Sequence, residues 1–176
     1  MVLRKINAVI SLIITVLLLD HAIFLGAWML SRGAIVPSAG FLPWILLGLM
    51  VVHALICIDF AISAHENAEK RKVNSYAKLN LPTMMQRMGG MLLLVFTALH
   101  VAGASGAMQP PQVIHAIVPP LFFALALSHA AISVSKAFIT LGIGNAKTVK
   151  VVDIVAKVLC GATLIADVVG FYLYVC

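Results

Sequence analysis

The sequence predicts an all-α integral membrane protein: one domain, 1–176, folded as a five-transmembrane-helix bundle with the N-terminus cytoplasmic and the C-terminus outside. Three observations carry that prediction. Hydrophobic residues make up 62% of the 176-residue chain and charged residues 10%, against roughly 45–50% and about 25% in a water-soluble domain. The apolar residues fall into five blocks, each long enough for a bilayer-crossing helix of about 20 residues. The basic residues gather in alternate connections, as they do in cytoplasmic loops.

In chain order the blocks are residues 6–31, 42–64, 86–107, 112–141 and 149–175. The first follows a short basic start, as a signal peptide would. It is longer than a typical signal core and lacks a small-residue cleavage site followed by a soluble chain, so it reads as a retained helix. Arg4 and Lys5 precede it; Lys70, Arg71, Lys72, Lys78 and Arg87 lie between the second and third blocks, and Lys147 and Lys150 between the fourth and fifth. On the other side Arg32 stands alone, and 106–112 carries no charge. The net charge of +6 therefore reads as membrane topology and contact with lipid, not as a nucleic-acid surface.

Little chain remains between the blocks. The run from His65 to Met85 is the most polar stretch, and reads as a helix extension followed by a turn near Asn80 to Pro82. It is either a solvated connector or a docking surface for a soluble partner. The outer connections, 33–43 and 104–111, are rich in Gly, Pro, Ser and Ala, as tight turns are. Pro119 and Pro120 inside the fourth block are expected to kink it. Three cysteines, an odd number with no metal-ligand spacing, carry no assigned role; Cys57 and Cys160 read as small packing residues.

Four of the blocks each hold a histidine deep in apolar sequence: His21, His53, His100 and His129. Ionisable groups in hydrocarbon are costly, and mark function by default. At about 1.5 Å of rise per residue, His21 and His100 lie roughly 21–23 Å from the cytoplasmic surface, and His53 and His129 about 16–18 Å. Two pairs result, an outer one on blocks one and three and an inner one on blocks two and four. Paired imidazoles on opposite sides of a flat cofactor are the ligand set of a bis-histidyl haem. Gly103 and Ala104 beyond His100, with Gly89 and Gly90 further back, and Ala126 and Ser133 around His129, suit a bulky planar group. Small residues also suit close helix packing. His65 and His115 sit near block ends and read as interfacial, although His115 could line an outer quinone pocket.

At these residues the chain resembles the five-helix, dihaem cytochrome b membrane-anchor subunit of the succinate dehydrogenase and fumarate reductase family. QRMGGMLLLVFTALHV (86–101) is similar to that family's third-span pattern, an arginine and glycine leading into an aliphatic run that ends F-x-x-x-H. SHAAISVSKAFITLGI (128–143) resembles its fourth span, and HALICIDFAISAHENAEKRKVNSYAK (53–78) its second. The resemblance implies that His53 and His129 ligate the iron of one haem b near the cytoplasmic partners, and that His21 and His100 ligate that of a second near the outer face. It departs from the pattern at Ser135 and Lys136, where an uncharged pair is usual, and in having no glutamate in blocks four or five.

Haem propionates need cationic or hydrogen-bonding partners. Arg87 and Lys136 are candidates for the inner haem, with Tyr76 a weaker one, and Arg32 is the available cation on the outer side. Ordinary interfacial anchoring is the other reading of these cations. Trp28, Met29 and Trp44 at the outer ends of blocks one and two suit either a quinone pocket or an aromatic belt. Asp20 and Asp167 are candidates for proton transfer or for helix–helix bonding.

The family resemblance thus implies a membrane anchor and electron conduit in a prokaryotic cytoplasmic membrane. Electrons would pass between flavoprotein and iron–sulfur subunits docked on the cytoplasmic side and a quinone, menaquinone by expectation. The dicarboxylate chemistry would belong to another chain. Two alternatives stand: a dihaem quinone-linked anchor of another respiratory reductase, which would carry its ligands on fewer helices, and a haem-free helical scaffold or transporter.

Overall fold

Backbone groups in hydrocarbon must be satisfied within their own segment, which makes long apolar blocks helical. The computed structural model has five helices: α1 (Val2–Leu30), α2 (Leu42–Lys70), α3 (Leu81–Ala104), α4 (Gln112–Leu141) and α5 (Ala146–Val175). It describes residues 2–34, 41–70, 81–104 and 112–175, with the side chains of 64–70, 81–85, 104 and 112–116 outside the description. No strand occurs among the described residues. Helix boundaries follow the apolar blocks closely, and α2 continues six residues past Ala64 as the polar extension the sequence suggested.

Four helices, α1, α2, α4 and α5, are long and apolar enough to cross a membrane. The chain is accordingly a helical, multi-pass membrane protein. α3 is the shortest of the five, 24 residues, and holds Gln86, Arg87, Gly89, Gly90, Thr97 and His100.

Packing is uneven. α1, α4 and α5 touch one another pairwise along their lengths, α2 leans on α1, and α3 leans on α4. The core lies within the trio: Leu127 is 1% exposed, and Met29, Phe122, Phe123 and Phe171 gather beside it. Ala22, Ala130, Ala131 and Cys160 form the tighter half of this core, because small side chains let membrane helices approach closely. Two glycines set the α1–α5 contact. A Cβ on Gly26 would come within 2.5 Å of Asp167 Oδ1, and one on Gly170 within 3.3 Å of Met29 Cβ.

Two chain reversals are capped in the same way. At the end of α4, Gly142 takes a φ of +72°, its N–H donates to Ile139 O, and Ile143 N–H donates to Phe138 O. This is a Schellman closure. Asn145 then accepts a 3.0 Å bond from Thr148 N–H, capping α5. At the end of α1, Arg32 adopts the left-handed conformation (φ +50°) and the Gly33 N–H reaches back to Trp28 O. Arg4 lies 5.9 Å above the Phe60 ring and ties the start of α1 to α2. α4 continues as helix through Pro119 and Pro120.

The aromatic group expected at the outer ends of α1 and α2 is not one cluster. Met29 is 3% exposed in the core, Trp28 packs on Tyr174 of α5 with ring centres 4.6 Å apart, and Trp44 is 64% exposed. The reason is rotation: successive helix positions differ by about 100°, so Trp28 and Met29 face different neighbours.

Candidate functional site

His21 on α1 and His100 on α3 meet, their ring centres 6.5 Å apart and their planes at 82°. Two imidazoles on one metal, each about 2 Å from it through a nitrogen, have ring centres roughly 6 Å apart. Phe122 of α4 stacks on His100 at 4.9 Å and 20°. The coordinating lone pair lies in the ring plane, so a stacked face leaves it free. The helices that carry this pair pack on α4, and α1 and α3 form no substantial interface with each other among the described residues. The imidazoles therefore reach across an open seam.

The second pair, His53 on α2 and His129 on α4, lies within electrostatic range, and its helices too lack a substantial interface among the described residues. Each ring has a buried Nδ1 with no hydrogen-bond partner, an arrangement that costs free energy until a ligand or proton donor is met. A ring's two nitrogens exchange by a half-turn, so either can face a ligand. Gly89 and Gly90 of α3 bracket His129, and a Cβ on Gly90 would press within 3.2 Å of its Cε1. These glycines thus serve the inner pair and not His100, behind which they were expected. Beyond His100, Gly103 has open space around it.

A polar chain adjoins His129. Ser133 Oγ donates to His129 O at 2.7 Å and accepts from Gln86 Nε2 at 3.2 Å, and Lys136 Nζ donates to Gln86 Oε1. Arg87 is exposed and within electrostatic range of Lys136. These cations can neutralise carboxylates of a ligand held at the inner pair. On α2, Cys57 Sγ lies 3.6 Å from His53 Nε2 and accepts from Asn7 Nδ2 at 3.6 Å. Cys57 escaped sequence reasoning, although its i, i+4 spacing from His53 places both on one helix face.

Asp167 is the other residue the sequence left undecided. It is 0% exposed, and neither carboxylate oxygen has a hydrogen-bond partner. Asp20, its counterpart on α1, is half-buried. Arg32 is exposed at the end of α1. Tyr76 and the side chains of His65 and His115 lie outside the described residues.

The donor set fits a bis-histidyl haem: imidazoles paired across seams, orphaned ring nitrogens, and glycines pressed against a ligand ring. Bound there, such a group would be held by His21 with His100 and by His53 with His129. The small void beside the outer pair, about 20 Å³, has room for about one water. The chain matches no family model, no curated protein and no solved structure in comparisons with each.

Proposed function

We propose that this chain is the dihaem cytochrome b anchor of a succinate:quinone oxidoreductase, a succinate dehydrogenase or fumarate reductase, in a prokaryotic cytoplasmic membrane. All five helices span, with the N-terminus cytoplasmic and the C-terminus outside. Flavoprotein and iron–sulfur subunits dock on the cytoplasmic side, and quinone, menaquinone by our reading, exchanges electrons on the outer side. The chain has no dicarboxylate site of its own.

One observation carries this reading: two pairs of half-buried imidazoles, each pair carried by helices that share no substantial interface among the described residues. Polar glue between helices would place its histidines in packed interfaces and bond them there. A bis-histidyl haem supplies one-electron transfer with no open coordination position for oxygen or substrate. The residues do the rest. His21 and His100 hold the outer position, and His53 and His129 the inner one. Arg87 and Lys136 balance carboxylate charge at the cytoplasmic side, and Phe122, Phe123 and Leu127 wall the outer pair with apolar side chains. Positive-inside charge, from Arg4 and Lys5 through the basic second connection to Lys147 and Lys150, supports the orientation.

The test is electron delivery. Membranes carrying the chain with its soluble partners are reduced with succinate or dithionite, and the b-type visible bands are followed as a menaquinone analogue is added. Reoxidation of low-spin bands that do not respond to carbon monoxide supports the proposal. Absence of those bands, or bands that bind carbon monoxide, overturns it.

A further inference from the structure

The turn between α4 and α5 leaves an open groove of about 660 Å³ that neither imidazole pair uses. The residues of the turn account for it. Gly142 and Gly144 have no side chain and take positive φ, 72° and 83°, and Ala146 begins α5 with only a methyl group. A Cβ on Gly142 would meet nothing within 4 Å. Phe138, Ile139, Ile143 and Val149 form apolar walls, and Lys150 and Asp153 lie along the α5 side. Ile139 is 64% exposed and Ile143 49%. Depth follows from the sequence of α5. From Val158 to Val175 it carries a single charged side chain, Asp167. At about 1.5 Å per residue that run is roughly 27 Å long, close to a hydrocarbon core of about 30 Å. The turns before it, with Lys147, Lys150, Asp153 and Lys157, therefore stand in the headgroup layer or at its inner edge, and the groove opens there.

Charge decides what fits. Asp153 is neutralised by Lys157, whose Nζ lies 2.6 Å from Oδ2. Lys147 and Lys150 have no acidic partner among the described residues, and residues three apart on a helix are neighbours on one side. The mouth of the groove is thus cationic and its walls apolar. A small soluble anion gains nothing from the walls, and a zwitterionic lipid brings a cation of its own against the two lysines. We propose that the groove holds one anionic phospholipid of the phosphatidylglycerol class. Its phosphate sits between Lys147 and Lys150, and its glycerol and upper acyl chain lie against Ile139, Ile143 and Val149. Lysines at this level are attracted to anionic headgroups, and their stems lie along apolar surface while the ammonium stays in the polar layer. The site shares no residue with either imidazole pair and is independent of any haem.

The experiment is native mass spectrometry of the full chain, purified with any partner subunits and titrated with phosphatidylglycerol or with phosphatidylcholine. One phosphatidylglycerol should bind per chain, with an affinity on the order of tenfold above that of phosphatidylcholine. Lys147→Gln combined with Lys150→Gln should remove that preference. Ala146→Trp, which fills the groove without changing its charge, should lower the binding of both lipids. Arg4→Gln combined with Lys5→Gln removes the same charge at the start of α1 and should leave the preference intact. Equal affinity for the two lipids in the wild type overturns the proposal, as does the absence of any phosphatidylglycerol adduct, the result expected where a partner subunit covers the turn. An equal loss in the Arg4 and Lys5 double variant also overturns it, and makes the preference a diffuse property of the basic surface. Full binding by Ala146→Trp overturns the groove as the seat and leaves the anion on the lysines alone. If Ala146→Trp fails to fold, the two double variants decide by themselves.

Discussion

The outer and inner imidazole pairs differ in what surrounds them. His21 and His100 sit among aromatic and aliphatic side chains, with one buried carboxylate as company. His53 and His129 sit among a thiol, two amides, a serine and, toward the cytoplasm, Lys136 and Arg87. Two imidazole pairs of the same composition are thereby placed in different surroundings, one beside a buried carboxyl group and the other beside two cations. A cation stabilises the added electron of a reduced group and an anion opposes it. The difference teaches that, on the proposed haem reading, any difference in potential between the two sites would come from the residues around the imidazoles and not from the imidazoles themselves.

The largest effects should separate the pairs outright. His129→Ala or His53→Ala should remove the inner haem and halve the haem-to-chain ratio, leaving the outer EPR signal. His21→Ala or His100→Ala should do the converse. A substitution in one pair that abolishes both signals equally would break the distinction between them.

A smaller effect should follow at the glycines. Gly90→Ala presses on His129 at 3.2 Å, and overpacking of this kind costs about 1–3 kcal/mol. It should lower the thermal stability and disturb the inner haem spectrum only. Gly103→Ala, built into open space, is the control and should change neither. Smaller again, Lys136→Met removes a half-buried cation near His129 and should lower the inner midpoint potential in a redox titration, leaving the outer one in place. An unchanged inner potential would assign Lys136 to anchoring, and the comparison would then rest on Asp167.

Much of this arrangement is legible in the chain itself. Helix boundaries follow from where apolar runs meet charge, because hydrocarbon tolerates little else. The pairing of His21 with His100 follows from depth, since a fixed rise per residue converts position into height. Rotation is what one-dimensional reading loses. Asp20 and Asp167 look equivalent in sequence, and only the docking of α5 against Gly26 makes one fully buried and leaves the other half-buried. Gly89 and Gly90 lie on the helix of His100, yet their neighbour is His129, because α3 leans on α4 and not on α1. Trp28 and Met29 separate for the same reason. Cys57 was within reach through its spacing from His53; Asn7, which comes from another helix, was not.

The central claim is that the four histidines form two bis-histidyl haem sites, and stoichiometry tests it most directly. Pyridine haemochrome quantitation of the purified protein with its partners, made under haem-replete conditions, should give two b haems per chain, both low-spin and unreactive toward carbon monoxide. One haem per chain would contradict the pairing. None would leave the four imidazoles as helix-bonding groups, and with them the conduit would go.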